Sequence, residues 1–180
     1  MSTSPSTVLR NVHQREVPAN AEEVWALVER LGTAADCLWP SDRWPALSLD
    51  RGVAIGSKGG HGPIRYHVAE VEEGTRVRFA FDPDGGFVGG HEFRLESTDH
   101  GTRVAHELEV HAPGILLTGL ILPLHDALLE DLLDDLEAHI GRVPSRRRRL
   151  PVGVRVRRRV IDVVEVLSAP FAGRSVTAAG

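Results

Sequence analysis

The chain has 180 residues, 42% hydrophobic and 26% charged, proportions that suit one globular domain with a core and an appendage. Its single cysteine, Cys37, excludes an intramolecular disulfide, and its longest uncharged apolar run, GILLTGLILPL at 114–124, is about half of what a membrane-spanning helix needs. The net charge of −4 hides an asymmetry: residues 142–180 carry ten arginines against two acids, +8, which leaves −12 for residues 1–141.

Residues 1–6 are small and polar and are expected to be disordered. MSTSPSTVLRNV has neither the basic segment nor the apolar run of a signal peptide, so a cytoplasmic location is expected. VLRNVHQREV, 8–17, reads as a first strand. In PANAEEVWALVERLG, Asn20 can cap a helix, Glu22 and Glu23 suit its first turn, and Gly32 can end it. The following stretch, 33–47, holds two Trp-Pro pairs that bar regular helix.

The period then changes to two. LSLDRGVAIGSKGG suggests two short strands around Asp50-Arg51-Gly52. IRYHVAEVEEGTRVRFAFD reads as a hairpin turning at Glu73-Gly74, with Val77, Phe79 and Phe81 on one face. FVGGHEFRLESTDHGTRVAHELEVH reads as a second hairpin turning near Asp99-His100-Gly101. Pairing Ser97 with Thr102 sets Leu95 against Val104, Phe93 against His106 and His91 against Leu108. His91 and His106 are then diagonal neighbours on one otherwise apolar face.

After Pro113-Gly114 the period becomes helical, with Leu117, Leu120, Ile121, Leu124, Leu128, Leu132, Leu136 and Ile140 on one stripe and Asp126, Glu130, Asp131, Asp134 and Asp135 on much of the rest. Pro123 is expected to kink this helix or to start its main segment, and Gly141 and Pro144 to end it. The predicted class is α+β, a curved antiparallel sheet half-covered by a long C-terminal helix.

VPANAEEVWALV (17–28), GSKGGHGPIRYHVAEVEEGTRVRF (56–79), GTRVAHELEV (101–110) and the closing helix, in that order, resemble the SRPBCC superfamily. Its START-like, helix-grip fold includes the polyketide cyclase/dehydrase-like proteins. The resemblance covers 7–142 and leaves 143–180 as an Arg-rich extension, expected to be partly disordered. It implies a sheet wrapped around the long helix, an internal cavity, and ligands such as lipids, sterols or polyketides.

Two functions stand open on this reading. One is binding of a small hydrophobic ligand, with Phe79, Phe81, Phe93, Leu108 and Leu120 supplying apolar surface and His91, His106 and Tyr66 meeting polar atoms. The other is a cyclase/dehydrase-like enzyme in which His106 or His91, with a pKa near neutrality, removes a proton while Tyr66 or Arg65 steadies the enolate. A bland alternative remains for each residue, since Phe93 can simply cover His106 in a packed core.

His125 lies at the edge of the helical stripe, facing either the cavity mouth or solvent. Whether Tyr66 or Arg65 faces inward is open, because a bulge near the glycines would reverse the phase. No metal or cofactor is expected: His91, His106 and His125 can converge, but no HxH or HExxH spacing supports a metal. Cys37, in ADCLWP, is expected to be a buried, inert thiol.

In the tail, VGVRVRRRVIDVVEVL reads as an extra strand or an amphipathic helix. It is expected either to be solvated and folded back on the acidic helix, or to touch an anionic membrane surface. A third, weaker function follows from it, an accessory protein recruited through the tail. The acidic body and the lack of a DNA-binding motif or interleaved aromatics stand against nucleic acid.

Overall fold

The period-two stretches form seven antiparallel strands in a computed structural model that describes residues 8–111, 114, 117–145, 147 and 149–159. The strands are β1 Val8–Val17, β2 Ser48–Leu49, β3 Lys58–His61, β4 Ile64–Glu72, β5 Arg76–Phe81, β6 Val88–Thr98 and β7 Gly101–His111. Their order across one sheet is β1-β7-β6-β5-β4-β3-β2, so every neighbour but β1 and β7 is also the next strand in sequence. Helix α1 spans Ala21–Val28 and helix α2 spans Leu122–Gly141. The class is α+β with helix-grip topology, as the order of periods implies.

Two compact units divide the chain, Met1–Arg149 and Leu150–Gly180. In the second, residues 152–159 form a short helix, α3, which presents Arg155, Arg157, Arg158 and Arg159. The expected disorder of residues 1–6, and any reading of the tail beyond residue 159, lie outside the described residues. Among the described residues no helix is long and apolar enough to cross a membrane.

Local chemistry accounts for the boundaries. The Asn20 side chain accepts from the Glu23 N–H at 2.8 Å while the Glu23 carboxylate accepts from the Asn20 N–H at 3.3 Å, a capping box that starts α1. The second short strand begins at Lys58, because the Asp50 carboxylate accepts from the Ser57 hydroxyl at 2.8 Å and the Lys58 N–H at 2.9 Å, folding residues 51–57 into a turn. Pro123 stands in the first turn of α2, directly after one π-helical turn at Leu117–Ile121. Its missing N–H is harmless there.

The hairpin β6–β7 has the register expected of it: Ser97 opposes Thr102, Leu95 opposes Val104, Phe93 opposes His106 and His91 opposes Leu108. In β4–β5 the register slips between Val68 and Glu70. This bulge keeps Tyr66 and Val68 on the inner face, then returns Val71 to it opposite Val77. Inner-face side chains Tyr66, Val68, Val77, Phe79, Phe93, Leu95, Val104, Leu108 and Val110 form the core with Leu124, Leu128, Leu132 and Leu136 of α2.

The stripe on α2 is wider than its leucine periodicity suggests. Leu129 and Leu133 are also buried, and so are Asp131 and Asp135, which the sequence places on the acidic face. The segment between α1 and β2 covers this side of the helix. Trp44 Nε1 donates to Asp131 at 2.8 Å and Arg43 Nη1 donates to it at 2.9 Å, while Arg147 pairs with Asp135. Burying these carboxylates is tolerable because each meets a donor.

Candidate functional site

The inner face of the sheet reads as rows, since antiparallel partners share a side. One row runs His13, His106, Phe93, Val77 and Val71 across β1, β7, β6, β5 and β4. The next runs Asn11, Leu108, His91, Phe79 and Val68. Below it Leu9 and Val110 stand at one end and Phe81 and Tyr66 at the other. α2 lays His125 over the first row, its ring 5.1 Å from that of His106 and 6.2 Å from that of His13.

The histidines are in direct contact. His106 Nε2 is 3.2 Å from His91 Nδ1, a hydrogen bond that leaves no room for a ligand or water between the two nitrogens. His91 stacks on Phe79 at 4.9 Å and takes the edge of Tyr66 at 4.7 Å. Phe93 covers His106 edge-on at 4.7 Å, as the packing alternative foresaw. The Tyr66 ring also approaches His61, itself tilted against Trp39 with ring centroids 4.8 Å apart.

Burial governs the charge state. It holds the His91 and His106 imidazoles well below their ordinary pKa, with the neighbouring His125 adding to the effect. The same cause pushes His61 down to about 3 and raises the Tyr66 phenol. His125 is lowered by burial against the opposing pull of Asp126. At neutral pH these are uncharged rings, not bases poised near neutrality.

Three polar atoms in this region are buried without a hydrogen-bond partner: Asn11 Oδ1, His106 Nδ1 and His125 Nδ1. They come from β1, β7 and α2. Asn11 is diagonal to His106 through the pairs Asn11–Leu108 and His13–His106. Beside them Leu108, Val110 and Leu117 form an apolar cluster whose outer members Leu9, Phe81, Phe87, Ile121 and Leu122 are only partly buried. A polar corner therefore adjoins a half-open apolar surface.

Of the residues singled out from sequence, Tyr66, His91, His106, Phe79, Phe81, Phe93, Leu108 and His125 share this inner region, and Leu120 lies on the π turn beside it. Arg65 does not. It is exposed, and its guanidinium donates to the Gly62 carbonyl at 2.6 Å and the Ile64 carbonyl at 3.0 Å, outside the sheet. Cys37 is exposed rather than buried, with its thiol pKa raised by partial desolvation and by Asp36.

Asn11 and His13 were missed. In VLRNVHQREV neither alternate set is apolar, so periodicity assigns no inward face. The charge on α2 decides it. Arg15 pairs with Glu130, Asp134 and Glu137, and His13 lies 2.8 Å from Glu130 and 3.1 Å from Asp126.

Comparison with known proteins agrees with this architecture. CalU16 from Micromonospora echinospora is 17% identical, with 92% of this chain and 98% of that one covered and a TM-score of 0.55. Protein Ms6760 from Mycobacterium smegmatis is 16% identical over 77% of this chain and 99% of its own, with a TM-score of 0.57. SSP2350 from Staphylococcus saprophyticus is 13% identical over 79% and 100%, with a TM-score of 0.54. At such identities the likeness concerns the fold alone. No curated protein matches the chain. The family described as polyketide cyclase / dehydrase and lipid transport matches residues 10–141, and the chain, with its sheet gripping α2, belongs to that family within the SRPBCC superfamily.

Proposed function

We propose that the protein binds one small apolar molecule bearing a hydroxyl group, with its apolar body against Leu108, Phe81, Phe87 and Ile121 and its hydroxyl at the corner of Asn11 and His106. The carrying observation is the pair of orphaned atoms there, Asn11 Oδ1 and His106 Nδ1. Leaving such an atom unpaired costs about 1–3 kcal/mol, so a partner is strongly favoured. A hydroxyl can donate its one proton to Asn11 Oδ1 while it accepts from His106 Nδ1–H, the tautomer in which His106 Nε2 accepts from His91 Nδ1–H. The apolar contacts add roughly 25 cal/mol for each Å² buried. Phe93 and His91 hold the His106 ring in place, Phe79 and Tyr66 pack behind His91, and His125 and Leu120 border the site from the helical side.

A general-base role for His91 or His106 has less support. Burial lowers the basicity of both, and a base so weak abstracts a carbon-bound proton poorly. The arginines of α3 fit an anionic lipid surface better than nucleic acid, given the acidic body, and a cytoplasmic setting is consistent with the lone thiol.

The test is native mass spectrometry of protein purified from its own host, followed by titration with 1-naphthol and naphthalene. The expected outcome is a co-purifying apolar alcohol or phenol, and naphthol bound at least tenfold tighter than naphthalene. His106→Phe should remove that preference while leaving naphthalene binding in place. A protein that takes up neither probe and carries nothing from its host would overturn the reading.

A further inference from the structure

The geometry points to a second site in the same domain: a divalent transition-metal ion held by His13 Nε2, His125 Nδ1 and Asp126 Oδ1, where β1 meets the first turns of α2. One ligand atom from each of these residues lies within 4.8 Å of the other two. Asp126 Oδ1 is 3.1 Å from His13 Nε2 and 4.0 Å from His125 Nδ1. Donors about 2.0–2.2 Å from one ion stand about 3.0–3.5 Å apart, so His13 and Asp126 already have the spacing and His125 would close on Asp126 by roughly 0.5–1 Å. This trio differs from the His91, His106 and His125 combination weighed from sequence, in which His106 and His91 are taken up by each other.

Three features distinguish the cluster from an ordinary ion-pair network. His125 Nδ1 is buried and has no hydrogen-bond partner, and the 4.0 Å to Asp126 is too long to be a hydrogen bond. His13 directs its other nitrogen, Nδ1, at Glu130 Oε1 at 2.8 Å, and Arg15 holds the second oxygen of Glu130 at 2.9 Å. A carboxylate behind an imidazole fixes the tautomer that presents Nε2 to a metal and raises its donor strength. The Nε2 so presented faces Asp126 Oδ1 at 3.1 Å, and the ion would bridge the two.

The third feature is access. The Asp126 side chain is 41% exposed while those of His13 and His125 are 13% and 14% exposed, so an ion arrives from the carboxylate side and meets the imidazoles within. Two imidazoles and one carboxylate favour zinc, cobalt, iron or nickel over magnesium or calcium, and they leave coordination positions open. The site does not rest on the hydroxyl-ligand reading, whose anchors are Asn11 and His106.

The experiment uses the full chain, dialysed against a chelator and titrated with cobalt(II). Visible absorption reports coordination, and metal analysis after gel filtration reports stoichiometry. One equivalent of cobalt, displaced by zinc, is expected. His125→Gln and Asp126→Asn should lose it, with circular dichroism confirming that each is folded. Glu130→Gln, at a side chain 54% exposed, should fold normally and weaken cobalt binding about 10–100-fold. His111→Gln, beside Glu109 at the far end of β7, should bind as the parent does. A parent chain that binds no cobalt, or an unchanged affinity in folded Glu130→Gln or His125→Gln, would overturn the assignment.

Discussion

Burial keeps His61, His91, His106 and His125 neutral in the folded protein, and the unfolded chain does not. Their folded pKa values are depressed, so the unfolded state binds more protons as pH drops through about 6.5, the unfolded value. Stability from these rings is complete above that pH and is lost below it, at about 1.4 kcal/mol per pH unit for each ring that stays neutral. The depressed carboxylates, Asp42, Asp50, Asp126 and Glu92, lose their contribution only below about 4.5, and Asp131, raised by burial, works against the trend, so the loss of stability from about pH 6.5 to 5 comes from the histidines. Urea midpoints at pH 7.5 and 5.5 should differ clearly, and His61→Phe should flatten the dependence. An unchanged midpoint would mean that the rings protonate freely in the fold. The inward pair His91 and His106 was legible from alternation, because β6 and β7 each have one apolar face. Their direct contact was not, since side-chain torsions carry no trace in sequence.

At the scale of elements, the backbone comes very close to itself where β3 and β4 meet. Gly60 has φ +148°, and a Cβ there would stand 1.9 Å from the Ile64 carbonyl oxygen, a distance no side chain accepts. Gly60→Ala should therefore cost at least about 2 kcal/mol and disturb the β2–β4 edge first. Hydrogen exchange would show that edge losing protection while β6 and β7 keep theirs. Uniform protection in the variant would contradict this. The glycines of GGHGPIRYH signalled unusual backbone, but the bulge that sets the face of this strand lies after Val68, away from them. Tyr66 is inward because its own stretch alternates without interruption up to Val68.

For the whole molecule, opposite charges join distant segments. Arg147 pairs with Asp135 on α2 and with Asp42 in the segment before β2, which raises the Arg147 pKa and lowers that of Asp42. The Arg147 side chain is only 19% exposed, and Asp135 is buried. Arg147→Ala should lower stability by about 1–3 kcal/mol, roughly 3–10 °C in Tm for a chain of this size. A chain ending at Arg149 retains this anchor and should melt within about 2 °C of the full-length protein. If truncation at 149 were as damaging as Arg147→Ala, residues 150–180 would be part of the folding unit.

The amino-acid sequence by itself determined the order of periods, the α+β class, the β6–β7 register and the family. Each of these depends on local alternation or on turn chemistry, which neighbouring residues supply. Tertiary structure alone decided the face of β1, the burial of Asp131 and Asp135, the outward turn of Arg65 and the meeting of His13 with His125 and Asp126. In each case the deciding partner is far along the chain, and its charge or bulk acts only once the sheet has closed on α2.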